Sequence, residues 1–268
     1  MIEILTEHES AVRLGAFAAV LAAMAAWEGL APRRARAVPR LRRWPGNLGI
    51  VAINAVLVRL LFPTAVVGVA LWAEAQGLGL FNRVAAAPWL ALAASVIALD
   101  LVIYGQHVAF HYVAVLWRLH RMHHTDLDID LTTGVRFHPV EILLSILLKF
   151  AAVLALGAPA AAVVLYEVLL NGASVFNHGN VRLPLRLDRV LRAVVVTPDM
   201  HRVHHSVIRR ETDSNFGNFL SVWDRLFGTY RAQPERGHDA MTIGLPEFRD
   251  PGESRLDRLL LNPFRRAA

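Results

Sequence analysis

Not one cysteine occurs among the 268 residues. Disulfides, iron–sulfur clusters, thiolate zinc sites and a cysteine nucleophile are thereby excluded, and any metal must be held by imidazole, carboxylate or water. Charge is also scarce: charged residues make up 19% of the chain against 55% hydrophobic, with a mean hydropathy of +0.40. That balance exceeds what a soluble domain carries. The apolar residues fall in runs longer than a buried core helix needs, which points to a bilayer. The formal net charge of +6 would suit nucleic acid, yet no recognition module fits. The arginines stand beside apolar runs, where anionic headgroups and topology account for them, so no nucleic-acid partner is expected. Two catalytic signatures are missing as well. There is no His-Glu-x-x-His of a zinc peptidase, and Ser206 sits in no Gly-x-Ser-x-Gly elbow.

What is present is organised by apolar runs. The chain starts Met1-Ile2-Glu3, without the basic start of a signal peptide, so the run from Ala11 to Ala31 is expected to stay as an anchor. Such a run crosses about 30 Å of hydrocarbon at about 1.5 Å per residue. Arg33, Arg34, Arg36, Arg40, Arg42 and Arg43 follow with no acid among them, which places that segment in the cytoplasm. A second run, Asn47 to Ala73, returns to the far side, and Arg59 within it is expected to face the bundle interior. A third, Ala86 to Ala109, comes back with Asp100, Tyr104, Gln106 and His107 crowding its cytoplasmic end.

The fourth apolar region, Ile142 to Val175, is broken at Gly157-Ala158-Pro159, a turn signal. It reads as two helices, a full or re-entrant hairpin, returning Asn177-His178 to the side they left. From Val181 the chain is polar and Arg-rich, punctuated by Pro198, Pro234, Pro246 and Pro251, as in a cytoplasmic cap. The expected fold is an all-α integral membrane protein of about four to five membrane helices. The third helix carries the first histidine group, and a cytoplasmic helical cap holds a His-rich dimetal site. Residues 1–85 form membrane helices and the Arg-rich loop, 86–232 the histidine-bearing catalytic region, and 233–268 a polar C-terminal tail.

Twelve histidines are present, and ten lie between His107 and His205. They are grouped as His107-x-x-x-His111, His120-x-x-His123-His124, lone His138, lone His178 and His201-x-x-His204-His205. On a helix, offsets of three and four residues share one face, so each group aims its imidazoles at one region. Neutral imidazole suits zinc, copper and iron, and a single structural zinc takes only four ligands. Two ions sharing these histidines would each keep four or five nitrogens and an open position, the mark of a dinuclear oxidative centre. His138, before Pro139, reads equally as a helix-entry residue. His8 and His238 read as surface residues.

The order of the three groups, with Arg136-Phe137-His138-Pro139, Asn177-His178-Gly179-Asn180, Thr197-Pro198-Asp199-Met200-His201 and Trp223-Asp224-Arg225-Leu226-Phe227-Gly228-Thr229-Tyr230, resembles the fatty acid hydroxylase and sterol desaturase superfamily in its bacterial members. The resemblance covers Asp100 to Tyr230, about half the chain. It implies two non-haem irons, dioxygen as co-substrate and a lipid substrate drawn from the bilayer. The reaction would be removal of hydrogen from an unactivated C–H bond, ending in hydroxylation or desaturation. It implies His107, His111, His120, His123, His124, His201, His204 and His205 as ligands, with His178 completing one set and His138 supplying a tenth nitrogen. Asp199, Asn215, Asp224 and Tyr230 would orient ligand imidazoles, or serve as ordinary caps and turns.

The chain carries no haem or flavin domain, so electrons would come from a separate ferredoxin or cytochrome, docked on a basic face that includes Arg202, Arg209 and Arg210. A bacterial inner membrane, with the histidines on the cytoplasmic side, is the expected location. The competing expectations are a membrane iron or zinc transport or binding protein, with ligands near the bilayer midplane, and an inactive lipid-binding homologue.

Overall fold

The computed structural model describes residues 8–62, 65–84 and 86–266. Regular structure among these residues is helical, apart from isolated bridges such as Pro32 to Val181 and Val195 to Leu220. Five stretches are long and apolar enough to cross a membrane: Glu9–Leu30, Arg40–Arg83, Pro88–Tyr112, Pro139–Leu156 and Ala160–Asn177. The chain is an all-helical integral membrane protein. We number its principal helices α1 (Glu9–Leu30), α2 (Arg40–Leu61), α3 (Ala65–Ala75), α4 (Pro88–Tyr112), α5 (Ala114–His124), α6 (Pro139–Leu156), α7 (Ala160–Asn177), α8 (Leu185–Leu191) and α9 (Pro198–His204).

The second run is not one continuous helix. It starts earlier than the apolar residues suggest, at Arg40, and α2 ends at Leu61, with α3 beginning at Ala65. Arg59 therefore lies in the last turn of α2 and is exposed, not turned into the bundle. A cation at a helix C-terminus is favoured by the helix dipole, which replaces the interior partner expected for it. The break in the fourth region falls where expected. Gly157 closes α6 in the left-handed conformation at φ 60°, where a side chain would strain the backbone. Both arms of the resulting hairpin have 18 residues, enough for about 27 Å each.

In the membrane bundle, α4 packs against α6 and α7, and α1 against α7. Val66, Val67, Leu99, Val153, Val163, Val164 and Tyr166 form its dry core. The ends of α1 and α7 meet at the cap, where Arg33 N donates to Asn180 O at 3.0 Å and Arg182 N to Ala31 O at 3.0 Å. α5 and α9, with the loop 125–138, build the cap on that side.

The arginine segment does more than set topology. Arg43 is fully buried and reaches Asp126 Oδ1 at 2.6 Å and Asp130 Oδ2 at 2.7 Å. Arg40 holds Glu28 at 2.6 Å, and Glu28 accepts the backbone N–H of Leu131 and of Asn180, each at 2.8 Å. Asp128 accepts from Ala37 N and Val38 N. Several arginines expected at lipid headgroups thus tie the membrane helices to the cap, because a buried guanidinium satisfies several acceptors at once.

Candidate metal centre

Nine of the ten clustered histidines converge on two adjoining groups. His107, His111, His120, His124 and His204 place one ligand nitrogen each within 4.8 Å of one another, and so do His123, His178, His201 and His205. All nine are buried or nearly so. The two His-x-x-His-His segments divide their imidazoles in complementary fashion. On α5, His120 and His124 join the first group and His123 the second. In the α9 segment, His201 and His205 join the second group and His204 the first. α4 adds His107 and His111, and His178 at the end of α7 completes the second group.

Six of the nine rings are aimed by the nitrogen that faces away from the centre. Nδ1 of His107 donates to Phe216 O at 2.7 Å, of His123 to Arg136 O at 3.1 Å, of His178 to Ser174 O at 2.7 Å and of His204 to Ser214 O at 2.8 Å. Two carboxylates do the same: Glu141 Oε1 lies 2.7 Å from His120 Nδ1, and Asp213 Oδ1 lies 3.2 Å from His111 Nδ1. A proton held on Nδ1 leaves the Nε2 lone pair pointing inward.

The donor set fits two cations. Nε2 of His111 and His204 and both ring nitrogens of His124 and His205 are buried with no hydrogen-bond partner among the described residues. His107 Nε2 stands 3.2 Å from His120 Nε2, and His178 Nε2 stands 3.1 Å from His123 Nε2 and 3.0 Å from His201 Nε2. Burial, followed by repulsion from neighbouring imidazoles, holds His123, His124, His201 and His205 well below the ordinary histidine range. It brings His204 down to about 3. These rings are neutral at physiological pH, the form that binds metal.

Other expected site residues lie elsewhere. His138 is not brought to the cluster: its Nδ1 accepts from Val140 N at 3.2 Å, capping α6, and its Nε2 meets Leu260 O at 3.2 Å. The Pro139 that follows starts a helix, and the ring serves that start. Asp199 pairs with Arg202 and Arg33 rather than with a ring of the cluster. Arg202 is itself fully buried on Asp199, so it cannot belong to a docking face, whereas Arg209 and Arg210 are exposed. His238 is also buried, 3.7 Å from Asp199. Tyr230 lies under the Arg225 guanidinium at 4.0 Å.

Asn215 and Asp224 act one step removed from the rings. Asn215, at φ 54°, bonds the carbonyls of Met200 and Arg231. Asp224 accepts from Phe216 N at 2.7 Å and Gly217 N at 2.9 Å, fixing the carbonyl that receives the His107 proton. Glu141 and Asp213 were not singled out from the sequence. A lone acid at the head of an otherwise apolar helix was the available signal for Glu141. Asp213 sits in a short polar loop that carries none.

A cavity of about 420 Å³ runs from the histidines into the membrane bundle. His107, His120, His123, His178 and His201 line its cap end, so both groups face it, and Phe17, Val51, Val58, Phe110, Ile142 and Ile146 line its apolar walls.

Fold and site together define a membrane protein with a two-centre histidine site opening onto an apolar cavity. Residues 92–229, half of the chain, match the fatty acid hydroxylase family model, and the chain belongs to that family. It is similar to the alkylglycerol monooxygenase of Homo sapiens, at 31% identity over 164 residues, 59% of this chain and 34% of that protein. It is likewise similar to the ornithine lipid hydroxylase OlsE of Rhizobium tropici, at 31% over 135 residues, 49% of this chain and 39% of that one. A very-long-chain aldehyde decarbonylase, GL1-6 of Oryza sativa subsp. indica, is 26% identical over 201 residues, 72% of this chain and 29% of that one. The chain thus spans roughly a third of the length of these curated relatives. No solved structure matches it.

Proposed function

We propose that this chain is a membrane-bound, dioxygen-dependent diiron oxidoreductase that hydroxylates or desaturates a lipid C–H bond. The observation that carries this reading is the opening of two adjoining all-imidazole groups onto one apolar cavity inside the membrane helices. Bound iron would supply the oxidising power for a C–H bond that no side chain lining the cavity can attack. His107, His111, His120, His124 and His204 would hold one ion, and His123, His178, His201 and His205 the other.

The chain's own contribution is positional. Glu141, Asp213 and the carbonyls of Arg136, Ser174, Ser214 and Phe216 keep a proton on the outward nitrogens, so the inward lone pairs stay available. The cavity's apolar walls exclude water and admit hydrocarbon from the bilayer. A separate ferredoxin or cytochrome would deliver electrons, and the exposed Arg209 and Arg210 suit an acidic donor. The arginine segment lies on the same side as the histidines, which supports a cytoplasmic site. Transport is disfavoured, because both groups sit at the cap ends of α4 and α7 rather than on helices broken at mid-membrane.

Metal analysis of detergent-purified protein from iron-replete cells, with Mössbauer spectroscopy on an iron-57 sample, tests the reading. About two irons per chain with a coupled-pair spectrum is the expected result for two such groups. A single zinc, or no metal after reconstitution, would overturn it.

A further inference from the structure

The far end of the cavity is not apolar. Arg13 of α1, Lys149 of α6 and Glu167 of α7 line it, within helices long and apolar enough to cross a membrane. Glu167 is 4% exposed. Its Oε1 receives Lys149 Nζ at 3.1 Å, and its Oε2 lies 3.1 Å from Arg13 Nε. Arg13 also reaches Glu9 on its outward side at 2.9 Å. Asn171 and Ser145 add polar groups to the same wall.

Charge at this depth is costly and is kept where it acts on something. The triad is under-satisfied. An ammonium has three donors, and Glu167 is the one acceptor that Lys149 meets among the described residues. Arg13 Nε and Glu167 Oε2 lack a well-aligned hydrogen bond. Two cations thus share the buried carboxylate of Glu167, with Glu9 engaging Arg13 on its outward side, and Arg13, Lys149 and Glu167 all line the cavity.

Helix geometry fixes how far this cluster stands from the histidines. Ser174 receives the His178 proton, and Glu167 lies seven residues earlier on α7, about 10 Å away. Glu141 receives the His120 proton, and Lys149 lies eight residues later on α6, about 12 Å away. Measured from the ends facing away from the cap, Arg13 is about 6 Å into α1 and Glu167 about 10 Å into α7. A lipid held here by its polar end would run its chain up the apolar walls toward both imidazole groups. A cavity of about 420 Å³ has room for one chain, not for a whole two-chain lipid.

We propose that Arg13 and Lys149, balanced by Glu167, anchor the anionic oxygens of a single-chain lipid, a carboxylate or a phosphate, at the end of the cavity remote from the histidines. This assignment rests on the oxygenase reading for what happens at the other end of the chain, and it names the substrate class of that site. Regioselectivity follows: the C–H bond presented to the metal centre is set by the span between the anchor and the imidazole groups, on the order of 10 Å of helix rise along α7.

The test is binding, read without turnover. Protein in phosphatidylcholine nanodiscs is titrated with radiolabelled hexadecanoic acid and competed with hexadecanol or with a lysophosphatidic acid. Wild type should prefer the acid over the alcohol by about tenfold or more. Lys149→Met should erase that preference while hexadecanol still binds within about twofold of wild type, and Lys149→Arg should restore it. Competition by the lysophosphatidic acid alone, dependent on Lys149, assigns the anion as a phosphate. An unchanged preference in Lys149→Met, or equal loss of acid and alcohol, would overturn the anchor and leave the triad a brace between α1, α6 and α7. Protein that binds no iron but keeps the Lys149-dependent preference would sink the oxygenase reading and leave the anchor standing.

Discussion

The carboxylate of Glu141, in the first turn of α6, meets Nδ1 of His120, one turn before the end of α5, at 2.7 Å. This contact joins a membrane helix to a cap helix through a ring of the first imidazole group. Removing the charge while keeping the shape should weaken that group without unfolding the protein. Glu141→Gln is expected to lower metal affinity about tenfold to a hundredfold, measured by chelator competition with metal analysis. An unchanged affinity would mean that His120 needs no help from Glu141.

Gly134 lies against the end of α7, with Ser174 Oγ donating to its carbonyl at 2.6 Å. A Cβ at this position would fall 2.4 Å from Ser174 O and 3.1 Å from His178 Nδ1. Gly134→Ala must therefore push away the carbonyl that aims His178. The second group should lose its ion while the first keeps one, so metal content should fall from about two to about one per chain, the count expected of one intact four- or five-nitrogen group. Full occupancy in this variant would separate His178 from metal binding.

Arg43 has no route to water, and neither has Asp126, on which it sits. Burial alone would raise the Asp126 carboxyl, but the charges of Arg43 and Arg136 hold it well below the usual carboxylate range. Arg43→Met takes the nearest cation from that buried carboxylate, leaving Arg136 at 3.6 Å, and is expected to cost about 3–5 kcal/mol, seen as a fall in unfolding temperature in detergent. Adding Asp126→Asn should recover a good part of the loss. If the double variant is no better than the single one, the arginine acts through packing instead.

His238 provides a pH dependence independent of metal. Burial, with repulsion from Arg202 and Arg33, outweighs Asp199 and brings the ring down to about 4. The unfolded chain takes up this proton near pH 6.5 and the native state resists until near 4, so native stability falls as pH drops between those values. The loss approaches roughly 3 kcal/mol. His238→Gln should flatten the unfolding temperature across that window, followed by tryptophan fluorescence. An identical slope in wild type and variant would place the acid sensitivity elsewhere.

Much of this site is written in local spacing. The offsets within the three histidine groups put imidazoles on one helix face, and Gly157-Ala158-Pro159 marks a turn whatever surrounds it. Residues whose work depends on distant partners are harder to read. The arginines from Arg33 to Arg43 look like a topology signal because their acceptors, Asp126, Asp128, Asp130 and Asp199, come from parts of the chain that only the fold brings near. Arg202 and His238 look solvent-facing for the same reason, and each is buried against Asp199. His138 shows the converse. Its company of histidines suggests a ligand, while the proline after it suits a helix start, and the local signal prevails.

The exchange of roles between the two His-x-x-His-His segments has a mechanical meaning. Each of these short helical segments feeds both imidazole groups, two rings to one and one ring to the other, in opposite senses. Turning either segment about its axis would carry rings of both groups together. The spacing of the two imidazole groups is thus set by the pitch of the backbone, not by pliant loops, so these segments work as a calibrated spacer. The apolar walls of the cavity beneath them can change residue by residue without altering that spacing.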